Sequence, residues 1–285
     1  MIQLVLDLHT HTTASDGTLK PKELIQKAQT IGLEVLAITD HDTISGFDEL
    51  DSVVEETDIT VIKGVEISAD YPTDSLHILG YNIKDSLRVA HVLNELIEYR
   101  NKRNEIILEK MNQFGFKATM EEIKKIAKGK AIGRPHFARL MVEKGYVQTI
   151  DEAFRNYLKD GGPLFVEKKR LKPQEAIELI KEAGGIAILA HPYQVLKDGL
   201  PYPIADGVEN LESFIRYLIS KGLDGIEAYY STHLPKQTEE LLSIAKKYDL
   251  LITAGSDFHG DNRPNVKLGM NVPFKTVGKF LSKLF

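Results

Sequence analysis

Three short stretches place histidine one or two residues from another ligand-type side chain: His9-Thr10-His11, Asp40-His41 and Asp257-Phe258-His259. Each follows an apolar run, Leu4-Val5-Leu6 with Leu8, Val35-Leu36-Ala37-Ile38, and Leu250-Leu251-Ile252. Two further runs end in the same chemistry, Val61-Ile62-Lys63-Gly64-Val65 before Glu66 and Ile186-Ala187-Ile188-Leu189-Ala190 before His191. Imidazole and carboxylate, with no thiolate, are ligands for divalent transition metals. The elements that must position them are strands, because a run of about five apolar residues stopping at a polar cluster reads as a buried parallel strand with a site at its C-terminal end.

On a continuing strand, residues i and i+2 share a face, so His9 and His11 can converge on one ion. Asp16 sits in a polar turn before Gly17, and His77 lies inside an apolar stretch where a polar ring needs a partner. Six of the nine histidines fall within or just after expected strands. In a parallel barrel all such ends open on one face, where active sites gather. His91 and His233 read instead as structural or surface residues.

The element pattern supports that arrangement. Strands are expected over 4–8, 35–39, 60–68, 76–83, 186–190, 225–229 and 251–255, and helices over 21–31, 46–56, 173–183, 209–220, 235–247 and after 275. Between 85 and 170 the pattern is all helical, with one long helix over 86–114 and shorter ones over 119–128, 135–144 and 150–158. Seven strands in mostly βα order, interrupted once, predict a closed α/β barrel over 1–84 and 171–285. Residues 85–170 form a helical insertion expected to cover the active site. The loop over 192–208 is also expected at the barrel mouth. No glycine-rich phosphate loop follows any strand, which argues against a nucleotide-binding sheet.

Composition bounds the function. A chain of 285 residues can bury a full core. Cysteine is absent, which excludes disulfides, thiolate catalysis and Cys-type zinc sites. No apolar stretch approaches the roughly 18 residues of a membrane span, and the N-terminus lacks a signal-peptide pattern, so a cytoplasmic location without membrane contact is expected. The net charge of −5 is uneven: residues 98–170 carry 17 Lys/Arg against 10 Asp/Glu, leaving the remainder at −12. An acidic body suits a cation-collecting site and a basic segment suits an anionic substrate, although a solvated lysine face would give the same count.

The segment Asp7-Leu-His-Thr-His-Thr-Thr-Ala-Ser-Asp-Gly17 resembles the first motif of PHP (polymerase and histidinol phosphatase) domains. Ile38-Thr-Asp-His-Asp-Thr43, Gly64-Val-Glu-Ile67, Leu76-His-Ile-Leu-Gly80, Leu189-Ala-His-Pro192 and Gly255-Ser-Asp-Phe-His-Gly260 are similar to the later motifs, in the family's order. The resemblance implies a distorted seven-stranded TIM-like barrel holding two to three divalent ions. It assigns His9, His11, Glu66 and Asp257 to one ion, and Glu66 with His77 and His191 to a second. Asp16, His41 and His259 would hold the third, with Asp40 as a support behind the ligands. The nearest branch implied is the stand-alone phosphoesterases acting on nucleoside 5′-phosphates, nucleotide 3′,5′-bisphosphates or RNA 5′ ends.

Mixed N/O ligation suits Mn²⁺, then Zn²⁺ or Fe²⁺, and suits Mg²⁺ poorly. Ions about 3.5–4 Å apart can share a bridging water and lower its pKa towards neutrality, giving a hydroxide that attacks phosphorus in line. The insertion contributes Ile132-Gly-Arg-Pro-His-Phe137, where Pro135 at a helix start would aim N–H groups and the Arg134 fork at one point. Such a helix start is anion-binding chemistry, and the PHP resemblance implies Arg134 and His136 as the phosphate contacts; Lys168-Lys169-Arg170 could guide a longer anion. The leading expectation is hydrolysis of a 5′-phosphate or phosphodiester of a nucleotide or short RNA, with no obligate protein partner. A histidinol-phosphate or other small-metabolite phosphatase is the alternative within the same chemistry. A non-catalytic metal- or nucleic-acid-binding module is the alternative of another class.

Overall fold

The computed structural model describes residues 2–47, 50, 57–72, 75–127, 132–202 and 204–285. The chain divides into two compact units, Met1–His91 with Arg170–Phe285, and Val92–Lys169.

The first unit carries β1 (Gln3–Asp7), β2 (Val35–Ile38), β3 (Thr60–Ser68), β4 (His77–Tyr81) and β5 (Ile186–Leu189). A two-stranded hairpin of β6 (Leu196–Lys197) and β7 (Leu200–Pro201) follows, then β8 (Gly225–Tyr230), β9 (Leu251–Gly255) and β10 (Met270–Pro273). The main sheet runs β10-β1-β2-β3-β4-β5-β8-β9. Beyond Asp7 the chain stays extended and meets the last parallel strand. The Leu8 N–H donates to Ala254 O, the Asp257 N–H to His9 O and the His11 N–H to Phe258 O, each at 2.9 Å. These bonds curl the sheet into a nearly closed barrel and set His9 beside Asp257. Leu6, Leu8, Leu79, Tyr81, Ile188 and Ala254 are among the buried residues packed in its core.

Helices cover this sheet for readable reasons. Pro21 opens Pro21–Thr30 with its fixed φ, and the Glu23 side chain accepts the Lys20 N–H at 2.8 Å. Leu24, Ile25 and Ala28 then fall on one buried face at helical spacing. Pro173–Glu182 repeats the device, with Glu175 accepting the Lys172 N–H at 2.8 Å.

The sheet has eight strands rather than the expected seven. The extra one, β10, is short and broken by Asn271, so it carries no apolar run to recognise. Two strands also run against the rest, β10 against β1 and β4 against both β3 and β5. For β4 the reason is length. Only residues 69–76 separate it from β3, and a parallel neighbour needs a crossover of a dozen or more residues. The helix expected over 46–56 falls mostly outside the described residues. The stretch 192–208 holds a 3₁₀ turn at Pro192–Val195 and the β6–β7 hairpin.

The second unit is helical. It takes most of Ser86–Gln113, then Met120–Ala127, Arg134–Glu143 and Ile150–Ala153, the last running into a π turn at Phe154–Leu158. Ile107, Met111, Ile123, Phe137, Met141 and Leu158 are buried in a core of its own. Among the described residues no helix is long and apolar enough to cross a membrane.

Candidate metal centre

Strand ends deliver the ligand-type residues to one place in the barrel unit. His9 and His11 follow β1, with ring centroids 5.2 Å apart. Asp40 and His41 follow β2, and His41 forms an isolated parallel bridge with Glu66 on β3. His77 opens β4, which, being antiparallel, brings its first residue to the end where its neighbours finish. His191 follows β5 with a positive φ of 28°, and Asp257 follows β9 with a φ of 62°. Left-handed backbone at two non-glycine residues is strain of the kind that gathers at functional sites.

Glu66 is the hub, and it is fully buried. Its Oε2 lies 3.0 Å from His9 Nε2, 3.1 Å from His11 Nε2 and 3.1 Å from His41 Nδ1. Its Oε1 lies 2.8 Å from His77 Nδ1 and 3.1 Å from His191 Nε2. Asp257 Oδ1 stands 3.2 Å from His11 Nε2 and 3.6 Å from His9 Nε2. On the outer side Asp16 Oδ1 reaches His259 Nε2 at 3.1 Å, and the His11 and His259 rings stack at 4.0 Å. Ligand atoms within 4.8 Å of one another fall into three overlapping groups: His9, His11, Glu66 and Asp257; His11, Asp16, His41 and His259; and His41, Glu66 and His77. His191 touches Glu66 but is not a member of these groups.

The residues present fit a cationic group. His9 Nε2, both His11 nitrogens, His41 Nδ1, Glu66 Oε2, Asp257 Oδ1 and His259 Nε2 are buried, yet none has a hydrogen-bond partner. Buried polar atoms are normally satisfied, and here the unsatisfied ones converge on shared points. The electrostatics agree. Burial opposes ionising Glu66, but His41, His9 and His77 outweigh it and hold the carboxylate well below its usual range. Burial likewise opposes ionising Asp257, and His9 and His11 overcome it. Burial drives His41 down to about 3, helped by His11 and His77 against Glu66.

Asp40 does not join the ligand groups. It accepts the Thr12 N–H at 2.8 Å, the Thr12 hydroxyl at 2.7 Å and the Ser15 hydroxyl at 2.6 Å, bracing the loop that carries Asp16. Three residues escaped the sequence reading. Glu227 on β8 contacts His9, Tyr230 donates to Asp257 Oδ2 at 2.8 Å, and Arg263 pairs with the same oxygen. A signal existed for Glu227, because a lone carboxylate within a buried strand must be paired. Arg263 lies in a polar loop that gives none. His233 is held locally, donating from Nδ1 to Ala228 O at 3.1 Å.

Arg134 and His136 belong to the helical unit. Arg134 Nη1 donates to Leu158 O at 3.1 Å and Asp160 Oδ1 at 2.8 Å, with its guanidinium 5.6 Å from the Phe165 ring centre. His136 Nδ1 lies 3.1 Å from the Gly133 nitrogen and 3.3 Å from the Gly133 carbonyl oxygen at the helix start.

A barrel whose strand ends gather imidazoles and carboxylates around one buried glutamate has the lining of a metal-dependent phosphoesterase. The PHP domain profile matches residues 7–184, and the chain belongs to that family. It is 37% identical over 258 residues to a 5′-3′ exoribonuclease of Haemophilus influenzae, covering 89% of each chain. It is 30% identical to a 3′,5′-nucleoside bisphosphate phosphatase of Chromobacterium violaceum, covering 89% of this chain and 87% of that one. A Bifidobacterium adolescentis crystal structure classed with the metal-dependent phosphoesterases superposes with a TM-score of 0.72 at 31% identity, covering 98% and 96% of the two chains.

Proposed function

We propose that this phosphoesterase hydrolyses the 5′-phosphate end of a nucleotide or short RNA, using two to three divalent ions held by His9, His11, Asp16, His41, Glu66, His77, His191, Asp257 and His259. The observation that carries the reading is the set of buried, unpartnered nitrogen and oxygen atoms converging around Glu66. The donor set favours Mn²⁺, with Zn²⁺ or Fe²⁺ as alternatives, since six imidazoles suit a borderline ion better than Mg²⁺. When bound, such ions supply Lewis-acid polarisation of the phosphoryl oxygens and activation of water.

The chain's own residues supply position and charge. Glu66 and Asp257 stay ionised among the histidines, and the Asp40 brace sets the Asp16 loop. We assign Arg134 and His136 to the substrate phosphate. A guanidinium fork and an imidazole can both donate, as an anion requires. The nucleotide or RNA class rests on the relatives, whose names span RNA 5′-3′ exonuclease and nucleoside bisphosphate phosphatase.

The deciding experiment is an assay of the Mn²⁺-loaded protein on AMP, 3′-phosphoadenosine 5′-phosphate and 5′-phosphorylated oligoribonucleotides, with histidinol phosphate alongside. Release of phosphate or mononucleotides from the first three is expected. No release from any of them, or a clear preference for histidinol phosphate, would overturn the substrate assignment.

A further inference from the structure

Glu227 is a fully buried carboxylate in the middle of an otherwise apolar strand. Burying such a group is unfavourable unless its oxygens are well paired. Both are. Oε1 lies 3.0 Å from His9 Nδ1, and Oε2 accepts the His191 backbone N–H at 2.8 Å. A carboxylate only accepts, so in the neutral ring the contact places the His9 proton on Nδ1 and leaves the Nε2 lone pair for a ligand. That nitrogen is the one aimed at Glu66 Oε2, 3.0 Å away, and it has no hydrogen-bond partner. The second contact grips the left-handed turn at His191, whose ring reaches Glu66 from the other side.

The surrounding chain makes room for this arrangement. A Cβ on Gly255 would fall 2.2 Å from His9 Cβ and 2.6 Å from Glu227 Oε1. The glycine thus permits the close approach of the two side chains.

We propose that Glu227 is the positioning residue of the metal centre: it fixes His9 in the tautomer that presents Nε2, holds the His191 turn, and is not itself a ligand, since it stands outside the three ligand groups. This rests on the metal reading given above. Ligating histidines commonly hand their other N–H to a carboxylate, and losing that partner weakens metal affinity about 10–100-fold.

Glu227→Gln is a discriminating variant, because it keeps the shape but offers one acceptor where two are needed. The His191 N–H can only donate and claims the amide oxygen. The amide NH₂ then faces His9 Nδ1 and favours the opposite tautomer, with Nε2 protonated. Zinc titration of wild type and E227Q by calorimetry, with histidine ¹⁵N NMR of the zinc-loaded proteins, tests this. The expected result is a loss of about 10–100-fold in zinc affinity for E227Q, with Nδ1–H and metal-bound Nε2 at His9 in wild type. Zinc affinity in E227Q within twofold of wild type would overturn the proposal. If E227Q does not fold, wild type still decides: His9 bound to zinc through Nδ1, or protonated on Nε2, overturns it. Failure of wild type to bind zinc or manganese at all would instead overturn the metal reading on which it stands.

Discussion

Asp7 and Ser256 stand 249 positions apart in sequence, yet the Ser256 N–H donates to Asp7 Oδ1 at 2.9 Å and the Ser256 hydroxyl to Oδ2. The same carboxyl accepts the Gly269 N–H at 2.8 Å and the His9 N–H at 3.2 Å. Asp7 thereby ties the first strand to the segment after β9, one residue from Asp257 and two from His9. Burial pushes its carboxyl up to about 6 in spite of these bonds.

Asp7→Asn should therefore destabilise the barrel. The amide keeps one acceptor oxygen, so at least one buried donor is left unpaired, at a cost of about 1–3 kcal/mol. Urea denaturation of the metal-free proteins measures this. A midpoint equal to wild type would show that the seam does not depend on the carboxylate.

Ion binding should expel protons. Burial works against charging His11, but Asp257 and Glu66 outweigh it and lift its pKa from 6.5 to about 9. His9 is lifted in the same way by Glu66, Glu227 and Asp257 against burial. In the metal-free protein, a raised folded-state pKa gives stability that is full below about 6.5 and lost as pH rises through about 9. A ligating nitrogen must be bare, so an incoming ion competes with these protons across the neutral range. Zinc affinity should rise with pH by roughly tenfold per unit for each proton expelled. Calorimetry in buffers of different ionisation enthalpy counts those protons, and an affinity independent of pH would contradict the assignment.

Gly255→Ala should damage the centre while leaving the helical unit intact. The added methyl meets His9 Cβ and Glu227 Oε1 at distances no side chain tolerates, and forced overpacking costs about 1–3 kcal/mol. A fall in metal affinity together with a lower melting temperature is expected. Unchanged metal binding would show that His9 and Glu227 can separate without consequence.

Arg134→Ala tests the phosphate assignment. Hydrogen bonds to a charged group contribute about 1.5–3 kcal/mol, or roughly 10–100-fold in kcat/KM. The loss should appear for every 5′-phosphorylated substrate, with metal affinity unchanged. If the basic segment also tracks an RNA backbone, KM for oligoribonucleotides should climb with salt more steeply than KM for AMP. Equal salt dependence would confine the substrate to small molecules.

Much of the centre was legible before folding. His9, His11, His41, Glu66, His191, Asp257 and His259 could be found because each stands where an apolar run stops, and a barrel sends such ends to one mouth. Glu227 was not found, although it sits in the same layer, because its role depends on a hydrogen bond to a ring 218 positions away. Tyr230 and Arg263 were hidden for the same reason, since both act through the outer oxygen of Asp257.

The sequence by itself determined the ligand types and the strands that carry them, since these follow from local periodicity and side-chain chemistry. Only the tertiary structure decided that β4 runs backwards to bring His77 to the mouth, that Glu66 faces five imidazoles, and that Glu227 supports the centre without joining it. Those outcomes depend on which strand lies beside which, and on which buried lone pairs are left over once every hydrogen bond between distant segments has formed.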